Sequence, residues 1–152
     1  MTVVTVVTMK RKTVGRAASK TIVAAVLGMA LFSSACAAKK PDLPPPVGAS
    51  SKYPDYIFPA AVPGLGTPAA EERHKAGWLW LQAGDLKAAE RNFDAALKLS
   101  ETFYPSEVGL GYVGLAKKDL NDAATHFDRA VVANPRYVPA LVGRGEALLG
   151  LG

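Results

Sequence analysis

Asp85-Leu86-Lys87-Ala88-Ala89-Glu90-Arg91-Asn92-Phe93-Asp94-Ala95-Ala96 and Asp119-Leu120-Asn121-Asp122-Ala123-Ala124-Thr125-His126-Phe127-Asp128-Arg129-Ala130 carry one pattern, written twice and 34 residues apart. Both start with Asp-Leu, and both place Ala, Phe and Ala at the same positions: Ala89, Phe93 and Ala96, then Ala123, Phe127 and Ala130. Apolar residues at spacings of three and four mark one buried face of a helix. A fixed period of this length marks a repeat architecture.

The phase extends in both directions without a gap. Gly77 falls on Gly111, Leu81 on Leu115, Pro105 on Pro139, Val108-Gly109 on Val142-Gly143, and Gly111 on Gly145. Each unit reads as two helices. Thr67-Pro68 is an N-cap followed by proline at the first helical position. That helix should run to about Ala83 and stop at Gly84. Asp85 caps the second helix, which ends near Ser100. Pro105 starts a third helix ending near Lys117, Asp119 caps a fourth, and Asn134-Pro135 ends it. A fifth starts near Val138 and runs toward Gly152. The expected fold class is all-α, a helix-turn-helix solenoid of two full repeats plus the first helix of a third.

The period and its residues resemble the tetratricopeptide repeat (TPR). The small residue of the family's first helix lies at Gly77, Gly111 and Gly145, and its second-helix pattern at Ala89, Phe93, Ala96 and Ala123, Phe127, Ala130. The large packing residue is present as Trp80 but replaced by Gly114 in the second repeat. The helix-breaking proline is Pro135, with Glu101 at that place in the first repeat. The family's early aromatic is absent, replaced by Arg73 and Glu107. The resemblance covers residues 68–152 and implies a face of first helices that binds peptide segments of other proteins. Carried over by phase, that groove takes His74, Trp78, Leu81 and Gln82, then Val108, Tyr112 and Leu115. Glu71, Ala116, Val142, Glu146 and Leu149 fall on the same face. His74, Trp78 and Gln82 do not match the Lys/Asn carboxylate clamp of some relatives, so the resemblance implies an apolar helical or extended ligand. The other reading of Trp78 and Tyr112 is that they cover the chain's own segment near Tyr56. A solenoid stopping here leaves Val142, Ala147 and Leu148 exposed, so the array is expected to be truncated.

The net charge of +5 over 152 residues invites a nucleic-acid reading. Its location removes that reading. Lys10, Arg11, Lys12, Arg16 and Lys20 stand before Cys36 without any acid, and 18 − 5 leaves 13 bases against 13 acids for the remainder. The excess belongs to a leader. A basic stretch precedes the apolar run Ile22 to Phe32, and Ser33-Ser34-Ala35-Cys36 is small. That order is a signal peptide, and the run is short for a membrane span. Met9, followed at once by Lys10-Arg11-Lys12, is an alternative start.

Cys36 is the single cysteine, which excludes an internal disulfide framework and multi-cysteine zinc sites. Leu31-Phe32-Ser33-Ser34-Ala35-Cys36 resembles a bacterial lipoprotein lipobox, with Ser33 where the family prefers Leu. The resemblance implies lipidation of Cys36, cleavage before it and a lipid anchor in the cell envelope. No Asp directly follows Cys36, which in that family implies the outer membrane, facing the periplasm. Ordinary secretion and an uncleaved anchor are the alternatives.

The expected domains are a signal peptide at 1–35, a lipidated Cys and Pro-rich tether at 36–67, and the TPR array at 68–152. Seven prolines between Lys39 and Thr67 exclude helix and central strand there. Tyr53-Pro54-Asp55-Tyr56-Ile57-Phe58-Pro59 is an aromatic patch expected to pack on the first helix, or else to be a sticky linker.

No nucleophile elbow, phosphate loop or HExxH occurs. Gly109-x-Gly111-x-x-Gly114 matches a dinucleotide fingerprint only as text, because it lies inside a helical repeat. His74 and His126 sit on different helices without acids at metal spacing and are expected at exposed helix surface. The chain is therefore expected to be no enzyme, to need no cofactor or metal, and to bind a protein or peptide, with no nucleic acid and no small-molecule substrate. The function expected is an exported, lipid-anchored TPR scaffold in the bacterial envelope. The alternative is the N-terminal part of a larger envelope enzyme or of a secretion or assembly factor.

Overall fold

Aspartates placed one period apart start two of the five helices in the computed structural model, which describes residues 50–152. The leader, Cys36 and the tether up to residue 49 lie outside the described residues. The helices are α1 (Pro68–Ala83), α2 (Leu86–Leu99), α3 (Tyr104–Lys117), α4 (Leu120–Ala133) and α5 (Val138–Leu151), and no strand occurs among the described residues. The all-α solenoid is thus the observed architecture.

Local chemistry explains the boundaries. The Asp85 carboxylate accepts from the Ala88 N–H at 2.9 Å, and Asp119 accepts from Asp122 N–H at 3.3 Å. Thr67 Oγ1 does the same for Ala70 at 3.2 Å. Each satisfies a donor that a helix start leaves open. Both first helices that are followed by a partner end on a left-handed residue, Gly84 at φ 82° and Lys118 at φ 64°. Glycine adopts that conformation without steric cost, whereas Lys118 does not.

Consecutive helices pack in chain order, and α3 also touches α1 and α5, whereas α2 and α4 do not meet. The odd-numbered helices therefore form one layer and the even-numbered helices a second. Phe93 and Phe127 join the layers. A Cβ added at Gly77 would lie 2.8 Å from the Phe93 ring, and one at Gly109 would also strike that ring. Phe93 is thus cradled between α1 and α3. Phe127 repeats the arrangement between Gly111, where a Cβ would lie 2.7 Å from its ring, and Gly143. Both rings are fully buried. Burial of such a side chain contributes about 1.5–3 kcal/mol.

The positions that differ from the tetratricopeptide pattern have local partners. Gly114 stands where the first repeat has Trp80, and a Cβ there would come 2.9 Å from the Ala123 nitrogen. The backbones of α3 and α4 touch where the first repeat uses a large side chain. Arg73 and Glu107, one period apart, bond polar residues that are also one period apart. Arg73 Nη1 donates to Asn92 Oδ1 at 3.4 Å, and Glu107 Oε2 meets His126 Nδ1 at 2.7 Å. His126 is therefore part-buried rather than at exposed surface, because Glu107 holds it against α3.

At α5 the expectation needs one correction. Val142 and Leu148 are exposed, but Ala147 is fully buried in the main core.

Candidate functional site

Residues 52–66 extend the folded unit upstream of α1. They run as a strap across the layer of α1, α3 and α5, the face that the sequence assigns to a groove. Lys52 N–H donates to the Gln82 carbonyl at 2.8 Å, and Tyr53 N–H donates to Gln82 Oε1 at 3.3 Å. The Ser51 hydroxyl also bonds Gln82 Oε1. Farther along, Ile57 N–H donates to Tyr112 Oη at 3.3 Å. The Pro59 carbonyl accepts from His74 Nε2 at 2.8 Å, and the Ala60 carbonyl accepts from Tyr137 Oη at 2.8 Å.

Aromatic stacking complements these bonds. Tyr53 stacks on Tyr56 at 5.0 Å, and Tyr56 stacks on Tyr112 at 4.6 Å. Phe58 meets Trp78 edge-on at 5.3 Å, and Trp78 meets Tyr112 edge-on at 6.0 Å. Offset and edge-on rings of this kind add about 0.5–1.5 kcal/mol each beyond their burial. Leu65 and Gly66 then close over Phe103, which is fully buried against Ala70 and Ala96.

Of the seven groove residues, the strap touches His74, Trp78, Gln82 and Tyr112. His74, Leu81, Val108 and Tyr112 are fully buried, while Trp78, Gln82 and Leu115 are half-buried. They do share one face, as the phase requires. That face is occupied by the chain itself, so the open groove expected from the sequence is not observed, and Trp78 and Tyr112 cover the segment around Tyr56. The physical reason is composition. A segment with Tyr53, Tyr56, Ile57 and Phe58 gains more by lying on an apolar face than by remaining in water.

Polar groups under the strap are matched. Tyr112 Oη accepts from Ile57 and donates to the Pro139 carbonyl at 3.4 Å, linking strap, α3 and α5. Burial pushes its pKa up to about 12, and burial does the same for Tyr56. Tyr137 is also pushed up by burial. Glu146 is pushed up, first by burial and then by the charge of Asp55. His74 was expected at exposed surface, yet it is 1% exposed. Its Nε2–H donates to Pro59, and its Nδ1 accepts from the Ser106 hydroxyl at 3.0 Å. Burial lowers its pKa to about 4 against the smaller opposing effect of the Pro59 carbonyl, so the ring is neutral.

These groups leave little chemistry open. Among the described residues, no group of His, Cys, Asp and Glu is arranged to hold a metal ion. Among them, no helix is long and apolar enough to cross a membrane. Neither a protein-family model nor a curated protein matches the chain.

One surface stays open. α5 exposes Leu141, Val142, Leu148, Leu149 and Leu151. Sequence reasoning placed Val142 and Leu149 on the groove face but did not separate that face from the outer face of α5. It also missed Phe103 and the Glu107–His126 pair. A signal existed for each, because Phe103 falls on Tyr137, Arg73 on Glu107, and Asn92 on His126.

Proposed function

We propose that the chain is an exported, lipid-anchored TPR scaffold that holds a partner protein at the bacterial outer membrane, facing the periplasm. The exposed apolar face of α5, beside a repeat stack, carries the protein-binding part of this reading. Leu149 is 85% exposed and Leu148 48% exposed, on the same helix as Leu141 and Val142. Contiguous apolar surface of this kind marks interaction sites in soluble domains. The repeated small-residue cradles around Phe93 and Phe127, with the 34-residue phase, support the TPR assignment. The envelope part rests on the basic-apolar-small order before Cys36.

Two measurements test the two parts. Radiolabelled palmitate should enter the protein in cells, and Cys36→Ala should abolish both labelling and membrane fractionation. Unchanged labelling in that variant removes the anchor. Cross-linking in intact envelopes should trap the chain with a second protein, and a chain joined to none removes the scaffold.

A further inference from the structure

The strap is held differently from the helices it covers. The stack grips it by its main chain. Gln82 Oε1 accepts from the Tyr53 N–H, and Tyr112 Oη accepts from the Ile57 N–H. His74 Nε2 donates to the Pro59 carbonyl, and Tyr137 Oη donates to the Ala60 carbonyl. Main-chain bonds of this kind fit any extended segment, and side-chain contacts then select among segments. Here the selecting contacts are the Tyr56 ring on Tyr112 and the Phe58 ring on Trp78. Pro54, Asp55, Ile57, Phe58 and Val62 are exposed, while Pro59 is fully buried. A segment with few buried side chains opens at lower cost than packed helices do.

The root of such an opening is marked. A Cβ at Gly66 would lie 2.5 Å from the Phe103 ring, so the chain is fixed there. Two residues earlier, at Gly64 with φ 80°, a Cβ would meet nothing within 4 Å. Glycine turns there without steric cost. The face beneath keeps its own supports. His74 is packed by Phe93 and Phe103 and bonded to Ser106. Tyr112 rests edge-on against Phe127 and donates to the Pro139 carbonyl. Phe93 and Phe127 sit in glycine cradles between the layers, away from the strap.

We infer that the strap is an autoinhibitory latch. Residues 52–63 swing off as one unit about Gly64, and the five helices stay folded. The uncovered face takes an extended segment of another protein, with two aromatic rings at the spacing of Tyr56 and Phe58. The strap itself shows the chemistry that this face accepts. A second copy's strap is the weaker competitor. Each chain's own strap, tethered at Gly66, stands at a higher effective concentration than an identical segment arriving from solution.

The inference adds a covered surface to the protein-binding reading above and rests on that reading. The full chain in detergent micelles is followed by amide hydrogen exchange. The Lys52, Tyr53 and Ile57 amides should exchange together, at least 100-fold faster than those of Tyr112 and Val113 in α3. A labelled peptide of residues 50–63 then serves as probe in fluorescence anisotropy. Apparent affinity scales with the fraction of chains whose strap is open. A Tyr56→Ala/Phe58→Ala chain should therefore bind the peptide at least 10-fold more tightly than wild type, with its helical circular dichroism kept. A peptide carrying the same two substitutions should bind that chain at least 10-fold more weakly.

Exchange of the strap amides at the rate of the α3 amides overturns the inference, and so does peptide binding that ignores either pair of substitutions. Loss of helical signal in the substituted chain overturns it as well, because the strap would then be part of one cooperative fold. Wild-type dimers that the strap substitutions abolish overturn it in favour of a second copy. A partner cross-linked in envelopes to a chain whose strap never opens alone removes the latch and keeps the scaffold. A strap that opens and yields to the peptide, in a chain that cross-links to nothing, removes the scaffold and keeps the opening.

Discussion

Acidifying the protein from pH 7.5 to pH 5 should loosen the strap through one residue. His74 is neutral in the fold, donating from Nε2 to Pro59 and accepting at Nδ1 from Ser106. Protonation would put a second N–H against the Ser106 oxygen and a charge beneath Phe58, Phe93 and Phe103, whose rings surround it at 5.4–5.6 Å. Its pKa falls from 6.5 to about 4 on folding. Between those values the unfolded chain binds a proton that the folded chain refuses, so stability rises with pH across that window. The contribution is intact above 6.5 and fades as the pH drops toward 4. At pH 5 the loss is about 2 kcal/mol, at 1.36 kcal/mol per unit. The assay is urea unfolding followed by far-ultraviolet circular dichroism at half-unit pH steps, on the full chain and on His74→Gln. The wild-type midpoint should fall steadily over this range, and the variant should start less stable with a flatter profile. A wild-type midpoint that does not move, or a variant that keeps the same slope, refutes the role given to His74.

Phe127→Ala should destabilise by about 3–5 kcal/mol, because a ring between two glycine-bearing helices leaves a cavity that neither can fill; a loss under about 1 kcal/mol in urea unfolding speaks against the cradle. Gly109→Ala and Gly145→Ala should move the melting temperature in opposite directions. The first presses a methyl into the Phe93 ring at a cost of about 1–3 kcal/mol, while the second enters open space and gains about 0.5–1 kcal/mol of helix propensity. Lys118→Gly should stabilise by about 0.5–1 kcal/mol, the left-handed strain removed at φ 64° less the entropy cost that glycine adds. A lower melting temperature for that variant would assign Lys118 a contact that outweighs its backbone.

Helix positions were legible because their signals are local. Thr67-Pro68, Asp85 and Asp119 act within one turn, and the α-helical stripe of Ala89, Phe93 and Ala96 needs no distant partner. The stop at Lys118 was readable only through its phase with Gly84, since lysine itself carries no turn signal. The face formed by His74, Trp78 and Tyr112 was also legible, because helical spacing fixes which residues point together. Its occupancy was not. Whether Tyr112 meets water or Tyr56 depends on a contact spanning 56 positions of a segment whose prolines say what it is not, rather than where it lies. The Glu107–His126 pair was hidden for a related reason: its counterpart, Arg73 with Asn92, has the same geometry but different charges, so composition did not reveal the repeat.

The strap also sets how the molecule bears load. Tension drawn through the chain before Ser50 enters the fold at Lys52, beside the C-terminal end of α1, and not at the N-terminus of the first helix. From there it spreads to α3 through Tyr112, back to α1 through His74, and to Tyr137 at the threshold of α5. A pull on the leading segment is thereby shared among the anchorages of three helices instead of unwinding the first one from its end. The same route runs in reverse, so whatever displaces the strap at Tyr112 lengthens the reach of the segment that precedes it.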